Sequence, residues 1–584
     1  MLRPRYEIVK GGLGYVECSM TAKKHSRKAF KPNVKISYTQ ISRSCNHTVT
    51  YTPDLCTVKQ NKDKLSNLKK LLKVMRKNSI KVVAFAALTG FALVGTLASC
   101  SDNDTPDNPT ADTRHWSTDG GLKAADNLLF DGNQIGNGDK EFVFTGKQTL
   151  KRGTYTLKGW VYIAKGAELT IEPGTIIKGD KQTMATLIAE RGGKIIAQGT
   201  ADAPIVFTSA QPKGQRKPGD WGGVILCGNA PHNAGQAQIE GGPRTKHGGN
   251  DAHDNSGVLS YVRVEFAGYP FATDQEINGI TFGSVGDGTK VDHVQVSYSN
   301  DDSFEWFGGT VNCKNLIAFN GWDDDFDTDN GFSGHVQYGL SVRDPRIADK
   351  SQSNGFESDN DASGSTASPI TNAIFSNMTF IGPRQVDANF ANNADYITGG
   401  SMNPNNGSGL GKYQSAMQIR RGSRLNCINS LAMGWPIGLI IDSEKGDTRE
   451  QAQQGNIRLQ NVWFANMGVT GSDANKEYRD VRVNYVEKKA VVDESLPSFS
   501  STFFLAQQGN RVADMNTLLL TGKSLIAGLN VDFMPTATSP LLNAASFDGV
   551  SSAWFDKVSY IGAFSSTADW LQKWTNFDPE NTDY

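Results

Sequence analysis

Cysteine is scarce in this chain of 584 residues, and what there is lies scattered. There are seven in all: Cys18, Cys45 and Cys56 in the first 74 positions, then Cys100, Cys227, Cys313 and Cys427. The last three are too widely spaced for a disulfide framework or a zinc pattern. They are expected as buried single thiols. Long apolar runs are missing as well. One occupies residues 82–97, and beyond it no stretch is long enough to cross a bilayer. Surplus positive charge is confined to the start. Residues 1–74 hold 16 Lys+Arg against 4 Asp+Glu, whereas the chain from residue 100 onward holds 40 against 56, a formal charge near −16. A body this acidic argues against nucleic acid or anionic lipid as a partner.

What is present begins with export. Residues 75–99 carry Arg76, Lys77 and Lys81, then an apolar segment of 16 residues broken by Gly90 and Gly95, then Leu97-Ala98-Ser99 before Cys100. That order is a signal peptide: basic n-region, h-region, small residues before the cut. The LASC ending resembles a bacterial lipobox, which implies cleavage before Cys100 and acylation of that cysteine. The alternative is an ordinary signal peptide with an incidental cysteine. Signals of this kind act at a true N-terminus, so Met75 is expected to be the start and residues 1–74 a non-native extension. Residues 100–113 are rich in Asp, Asn, Pro and Thr and read as a flexible tether. Residues 114–584 read as one long domain.

From about Gly146 short runs of Val, Ile, Thr and Tyr alternate with Gly or Pro-Gly, as in TYTLKGWVYIAKGAELTIEPGTIIKGD. These are strands with turns. No helical stretch of comparable length interrupts them until residues 514–529, where Leu518, Leu519, Leu525, Ile526 and Leu529 have helical spacing. That segment is expected as a helix capping the last coil, since an open end would leave strand edges unpaired. Two insertions, 228–257 and 389–412, break the rhythm, and long loops on a solenoid often form its binding face.

One sentence repeats: DDSFEWFGG (301–309), DDDFDTDNG (323–331) and NGFESDND (354–361). Phe282, Phe304 and Phe326 fall 22 residues apart, and Phe356 follows after 30. A period of about 20 to 25 residues in a strand-rich chain marks a β-solenoid. Strands recurring without crossover helices or tight hairpins fit an all-β, right-handed parallel β-helix better than a sandwich; a propeller blade repeats at about 40 to 50 residues. Neighbouring strand residues point to opposite faces. If the Phe column points inward, then Glu305, Asp327 and Glu357 share an outer face at roughly 5 Å intervals.

Like charges that close require either a cation among them or protonation. Residues 301–361 hold 13 Asp+Glu against 4 Lys+Arg. Hard oxygens clustered without His or Cys suit Ca²⁺ or Mg²⁺, and Ca²⁺ tolerates irregular geometry. The candidate metal ligands are Glu305, Asp327 and Glu357 with Asp301, Asp323 and Asp329, and the expected cofactor is Ca²⁺. The competing reading is a ladder of turn-capping carboxylates bonded to backbone N–H groups. Arg420 and Arg421, two coils on, are candidate bases, with Lys314 and Arg343 as others; surface ion pairing is the alternative for all four. Trp306 and Trp322 could stack on a sugar ring, although Trp306 lies two positions after Phe304 and so shares its inward face. His247 and His253 read as loop histidines without a fixed partner.

The segments IEGGPRTKHGGNDAHDNSGVLSYVRVEFAG, DDSFEWFGGTVNCKNLIAFNGWDDDFDTDNGFSG and YIGAFSSTADWLQKWTNFDPENTDY resemble β-helix lipoproteins of Bacteroidetes, over nearly all of residues 100–584. Ser101-Asp102-Asn103-Asp104 resembles the acidic surface-export signal of such lipoproteins. The resemblance implies a pectin-lyase-like right-handed β-helix and an outer-membrane or cell-surface location with a lipid anchor at Cys100. It implies no activity. Three functions stay open: binding of an extracellular glycan or protein on a Ca²⁺-bearing acidic face, polysaccharide lysis or hydrolysis, and a structural envelope or adhesin role.

Overall fold

In the computed structural model the described residues are four strands near the N-terminus and residues 125–584, apart from 240–243, 273–274, 527, 530 and 567–569. The signal peptide, Cys100, the tether and the first residues of the domain expected from 114 lie outside them. The N-terminal strands Arg5–Val9, Leu13–Thr21, Asn33–Gln40 and Thr48–Thr50 pair antiparallel in sequence order, in a stretch whose sequence shows no clear apolar period.

The main body is a parallel β-helix. Its first sheet has eleven strands: β1 Phe142–Phe144, β2 Trp160–Ile163, β3 Thr186–Ala189, β4 Gly223–Cys227, β5 Ile280–Gly283, β6 Phe304–Phe307, β7 Phe326–Asp329, β8 Phe356–Ser358, β9 Ser415–Ile419, β10 Ile437–Ile441 and β11 Val469–Ser472. Each pairs in parallel with the strand before and the strand after. Between them the chain returns through a second parallel sheet, whose longest strands are Gly257–Glu265, Lys290–Ser297, Asn312–Phe319, His335–Val342 and Ile374–Ile381. Each of these five bends at one residue of left-handed φ: Tyr261, His293, Asn315, Tyr338 and Asn377. Asparagine adopts that conformation readily. Where Tyr and His occupy the corner instead, their rings stack, Tyr261 on His293 at 4.3 Å.

Inside the coils the expected phenylalanine column is present, with one change of register. Phe304 stacks on Phe326 with ring centroids 5.6 Å apart, and Phe326 pairs in register with Phe356. Phe282, however, is the register partner of Trp306, while Ile280 faces Phe304. The equal spacing misled there because the coil from β5 to β6 is two residues longer than the next, the extra two lying in the connection before the second-sheet strand Lys290–Ser297. Cys227, Cys313 and Cys427 are free and buried, as expected.

The second sheet is buried on its outer face as well. Ile317, Phe319, Leu340, Val342, Ile381 and Leu431 form an outer apolar cluster with Leu518, Phe564 and Trp574 of the C-terminal segment. That segment runs back along the sheet toward the first coils. Gln337 donates to the carbonyl of Asp556 at 2.8 Å, Gln295 to that of Asn576 at 2.6 Å, and Lys178 to that of Tyr584 at 2.7 Å. It acts as a strap. Such burial on both faces explains strands that read as near-continuous apolar runs.

The cap differs from expectation. Residues 514–529 do not form an α-helix; only Met515–Leu518 adopts a 3-10 turn, and Leu519 and Gly522 have left-handed φ. Leu518 and Ile526 belong to the strap cluster instead and Leu529 packs against it, whereas Leu519 and Leu525 are exposed. The end of the coil is covered by a helix at Phe499–Ala506, whose N-cap Ser498 accepts from the N–H of Ser501 and whose Phe504 stacks on Phe464 at 4.0 Å.

Candidate metal centre

Register places the acidic column. Glu305 on β6 pairs with Asp327 on β7, and Asp327 with Glu357 on β8; Thr281 precedes them and Gln418 follows. Neighbouring members therefore sit at strand spacing, about 4.8 Å. Their phenylalanine neighbours are fully buried while the three acids are partly buried on the outside, as strand alternation requires.

The acids do not share one environment. Glu357 and Asp359 are both ion-paired to Arg420, Asp359 at 2.8 Å, and Arg421 reaches Asp359 at 2.6 Å. Glu305 accepts a hydrogen bond from Asn278. Asp327 is different: its Oδ1 is buried and has no hydrogen-bond partner among the described residues. The same is true of Asp323 Oδ1, although its Oδ2 accepts from Ser351 at 2.6 Å. Burial, then Glu305 and Glu357, push the Asp327 carboxyl well above the usual range. Burial, then Asp301, Asp327 and Glu305, do the same to Asp302. Asp329 is pushed up to about 8 by burial and by Asp359. Glu357 reaches about 7, burial prevailing over the attraction of Arg420.

Two overlapping triads follow from this geometry, Asp301–Asp302–Asp323 and Asp302–Glu305–Asp327, with ligand oxygens inside each all within 4.8 Å of one another. Oxygens on opposite sides of a Ca²⁺ ion, at 2.3–2.6 Å each, stand up to about 5 Å apart. The donor set fits Ca²⁺, and the two partnerless buried oxygens point to the same chemistry. The shorter bonds of Mg²⁺ would demand a tighter cage.

Asp302, missing from the sequence-derived ligand set, is thus the residue that both triads share. It lies in the turn two positions before Phe304, where strand alternation has nothing to say. The same position also supplies a turn ladder: Asp302 accepts from the N–H of Asp324 at 2.8 Å, Asp324 from that of Asn354, and Asn354 from that of Ser415 at 3.1 Å. The turn-capping reading therefore holds for these oxygens, while the oxygens of the two triads form a separate set that could hold a cation. Glu357 and Asp329 are set apart from the triads; Arg420 answers the first, and Asp359 and Arg421 surround the second.

The other candidates are placed as follows. Arg420 lines the acidic pocket, which has a volume of about 330 Å³, but its two ion pairs hold it charged. Arg343 is fully buried, paired to Asp325 at 2.6 Å. Lys314 sits on the second sheet, paired to Asp556 of the strap at 2.8 Å. Trp306 and Trp322 are fully buried, as are Trp221 and Trp435, so neither can stack on a ligand; they fill the core. His247 and His253 do have fixed partners, Ser284 at 2.8 Å and Asp287 at 2.7 Å.

Stacked coils of parallel strands in two long sheets, with few helices, define the class: an all-β parallel β-helix. The family model described as "Pectate-lyase like beta helix domain" matches residues 143–498, more than half of the chain. The chain belongs to that family. Comparison with the curated proteins and with the solved structures found no match.

Proposed function

We propose that this protein binds Ca²⁺ at the Asp302–Glu305–Asp327 triad and uses the bound ion to hold an acidic extracellular glycan, as a lipoprotein exported and anchored through Cys100. The observation that carries the reading is the buried, partnerless Oδ1 of Asp327, set among carboxylates that only a cation or protons can reconcile. An ion held by that triad would supply coordination to a ligand in the pocket, whose wall also carries Arg420. Both suit a ligand carboxylate. Lysis by β-elimination needs a base, and Arg420, shared by two carboxylates, is a poor one.

Calorimetric titration of the chain from residue 100 onward with CaCl₂ tests the metal reading. Uptake in wild type and its loss in Asp327→Asn are expected; no uptake at millimolar Ca²⁺ refutes it. Retention of a polyuronate only when Ca²⁺ is present tests the glycan step, and the appearance of unsaturated product in the same mixture would replace binding by lysis. For the anchor, Cys100→Ala should abolish acyl labelling. Mature protein beginning upstream of residue 75 would sink that part.

A further inference from the structure

A second pocket, of about 420 Å³, opens farther along the same sheet, at the start of β10 and β11. Its wall comes from Pro436 and Val469, from Arg384 in the short helix Pro383–Val386, from Phe390 and Lys412 in the 389–412 insertion, and from Tyr478. Three features set it apart. Lys412 lies over the Tyr478 ring at 5.7 Å, and neither it nor Arg384 has an ion pair among the described residues. On a body carrying an excess of acid, and beside Arg343, Arg420 and Arg421 that are all neutralised, that is a notable pair of cations. The Tyr478 ring is held: its hydroxyl donates to Gln352 Oε1 at 2.7 Å, so the half-buried face is fixed in place. Gln352 in turn lines the acidic pocket, so one hydrogen bond links a residue of each pocket. From β7 to β10 is three strand positions, roughly 14 Å along the coil axis.

We propose that the Arg384–Lys412–Tyr478 pocket is a Ca²⁺-independent subsite for a carboxylate-bearing sugar ring. The cations take the carboxylate, Arg384 through its planar fork, and the Phe390 and Tyr478 rings take the sugar's apolar face. A chain crossing both pockets would have one acidic sugar on the bound ion and another here. The proposal rests on reading this face as glycan-binding, but its test runs without metal, so the two can fail separately.

The experiment is a titration of the chain from residue 100 onward, in EDTA, with a short oligomer of a hexuronic acid, followed by calorimetry. Wild type and Asp327→Asn should bind alike. Arg384→Gln and the exposed Lys412→Gln should each weaken binding about tenfold or more, the loss of one charged hydrogen bond, with unchanged melting temperature. The methyl-esterified oligomer, which keeps the ring and lacks the charge, should not bind. No binding by wild type, equal binding of the ester, or loss in Asp327→Asn with retention in both cation variants overturns the proposal. Tighter binding of an oligoglutamate peptide than of the uronate would also overturn it, in favour of an acidic protein.

Discussion

The two sheets of this β-helix treat their outer faces in opposite ways. The second sheet turns Ile317, Leu340, Val342 and Leu431 outward and covers them with the C-terminal strap. The first sheet turns Glu305, Asp327 and Glu357 outward and leaves them beside an open pocket. One face gains stability from burial, whereas the other holds like charges together at a cost. A solenoid can carry both, because each coil's interior is filled independently of what lies outside. Clustered charge on the uncovered face is what the proposed cation site would draw on.

The largest effect should come from the covered face. Trp574 is fully buried in the strap cluster, and Trp574→Ala should cost about 3 to 5 kcal/mol. Phe326→Ala, inside the coils, should cost a similar amount. Chemical denaturation measures both. If Trp574→Ala were neutral, the strap would be an accessory and the contrast between the sheets would collapse.

Next comes the open face. A cation bound only by the folded state stabilises it by RT ln(1 + [L]/Kd), about 2.7 kcal/mol at a hundredfold excess over Kd. EDTA should therefore lower the melting temperature of wild type and leave that of Asp327→Asn nearly unchanged. The pH dependence has a definite sign. Asp329 and Glu357, held at about 8 and about 7, are raised above their unfolded values, so their contribution is fully present at low pH and lost as pH rises through those values. His232, lowered to about 4 by burial, acts oppositely, but its contribution is complete above about 6.5. Between pH 7 and 9 in EDTA the melting temperature should then fall as pH rises, and saturating Ca²⁺ should flatten the slope. A flat profile over that window in EDTA would mean that the acids are ordinary turn caps, whose contribution is already complete above about pH 4.

The open face was more legible in the sequence than the covered one. Strand alternation needs only local information, so Phe304, Phe326 and Phe356 with their carboxylate neighbours identify the column and its register. It fails one residue outside a strand, and Asp302, which both triads share, sits in a turn. The pairing of Glu357 with Arg420 joins positions 63 residues apart in the chain, across the insertion at 389–412. The strap has no period of its own. Its Leu518 and Ile526 pack on a sheet built some 200 residues earlier, and helical spacing at 514–529 was the nearest local pattern to that contact. Phe282 shows the limit from the other side: an exact interval of 22 can still cross a turn of different length.

The smallest expected effect tests which face does the binding. Lys314, a candidate base by sequence, lies on the second sheet, with Asp556 at 2.8 Å and the Trp554 ring at 4.8 Å. Asp556 is more than half exposed, so the pair is screened by solvent and Lys314→Ala should cost under about 1 kcal/mol. Ca²⁺ uptake and uronate retention should be unchanged, because neither pocket is lined by Lys314 or by Asp556 of the strap. Gln337 still ties the backbone of Asp556 to the sheet when the ion pair is gone, so the strap should stay in place. If Lys314→Ala instead abolished binding while leaving the melting temperature intact, the functional face would be the covered one, and the acidic column a scaffold of the first sheet.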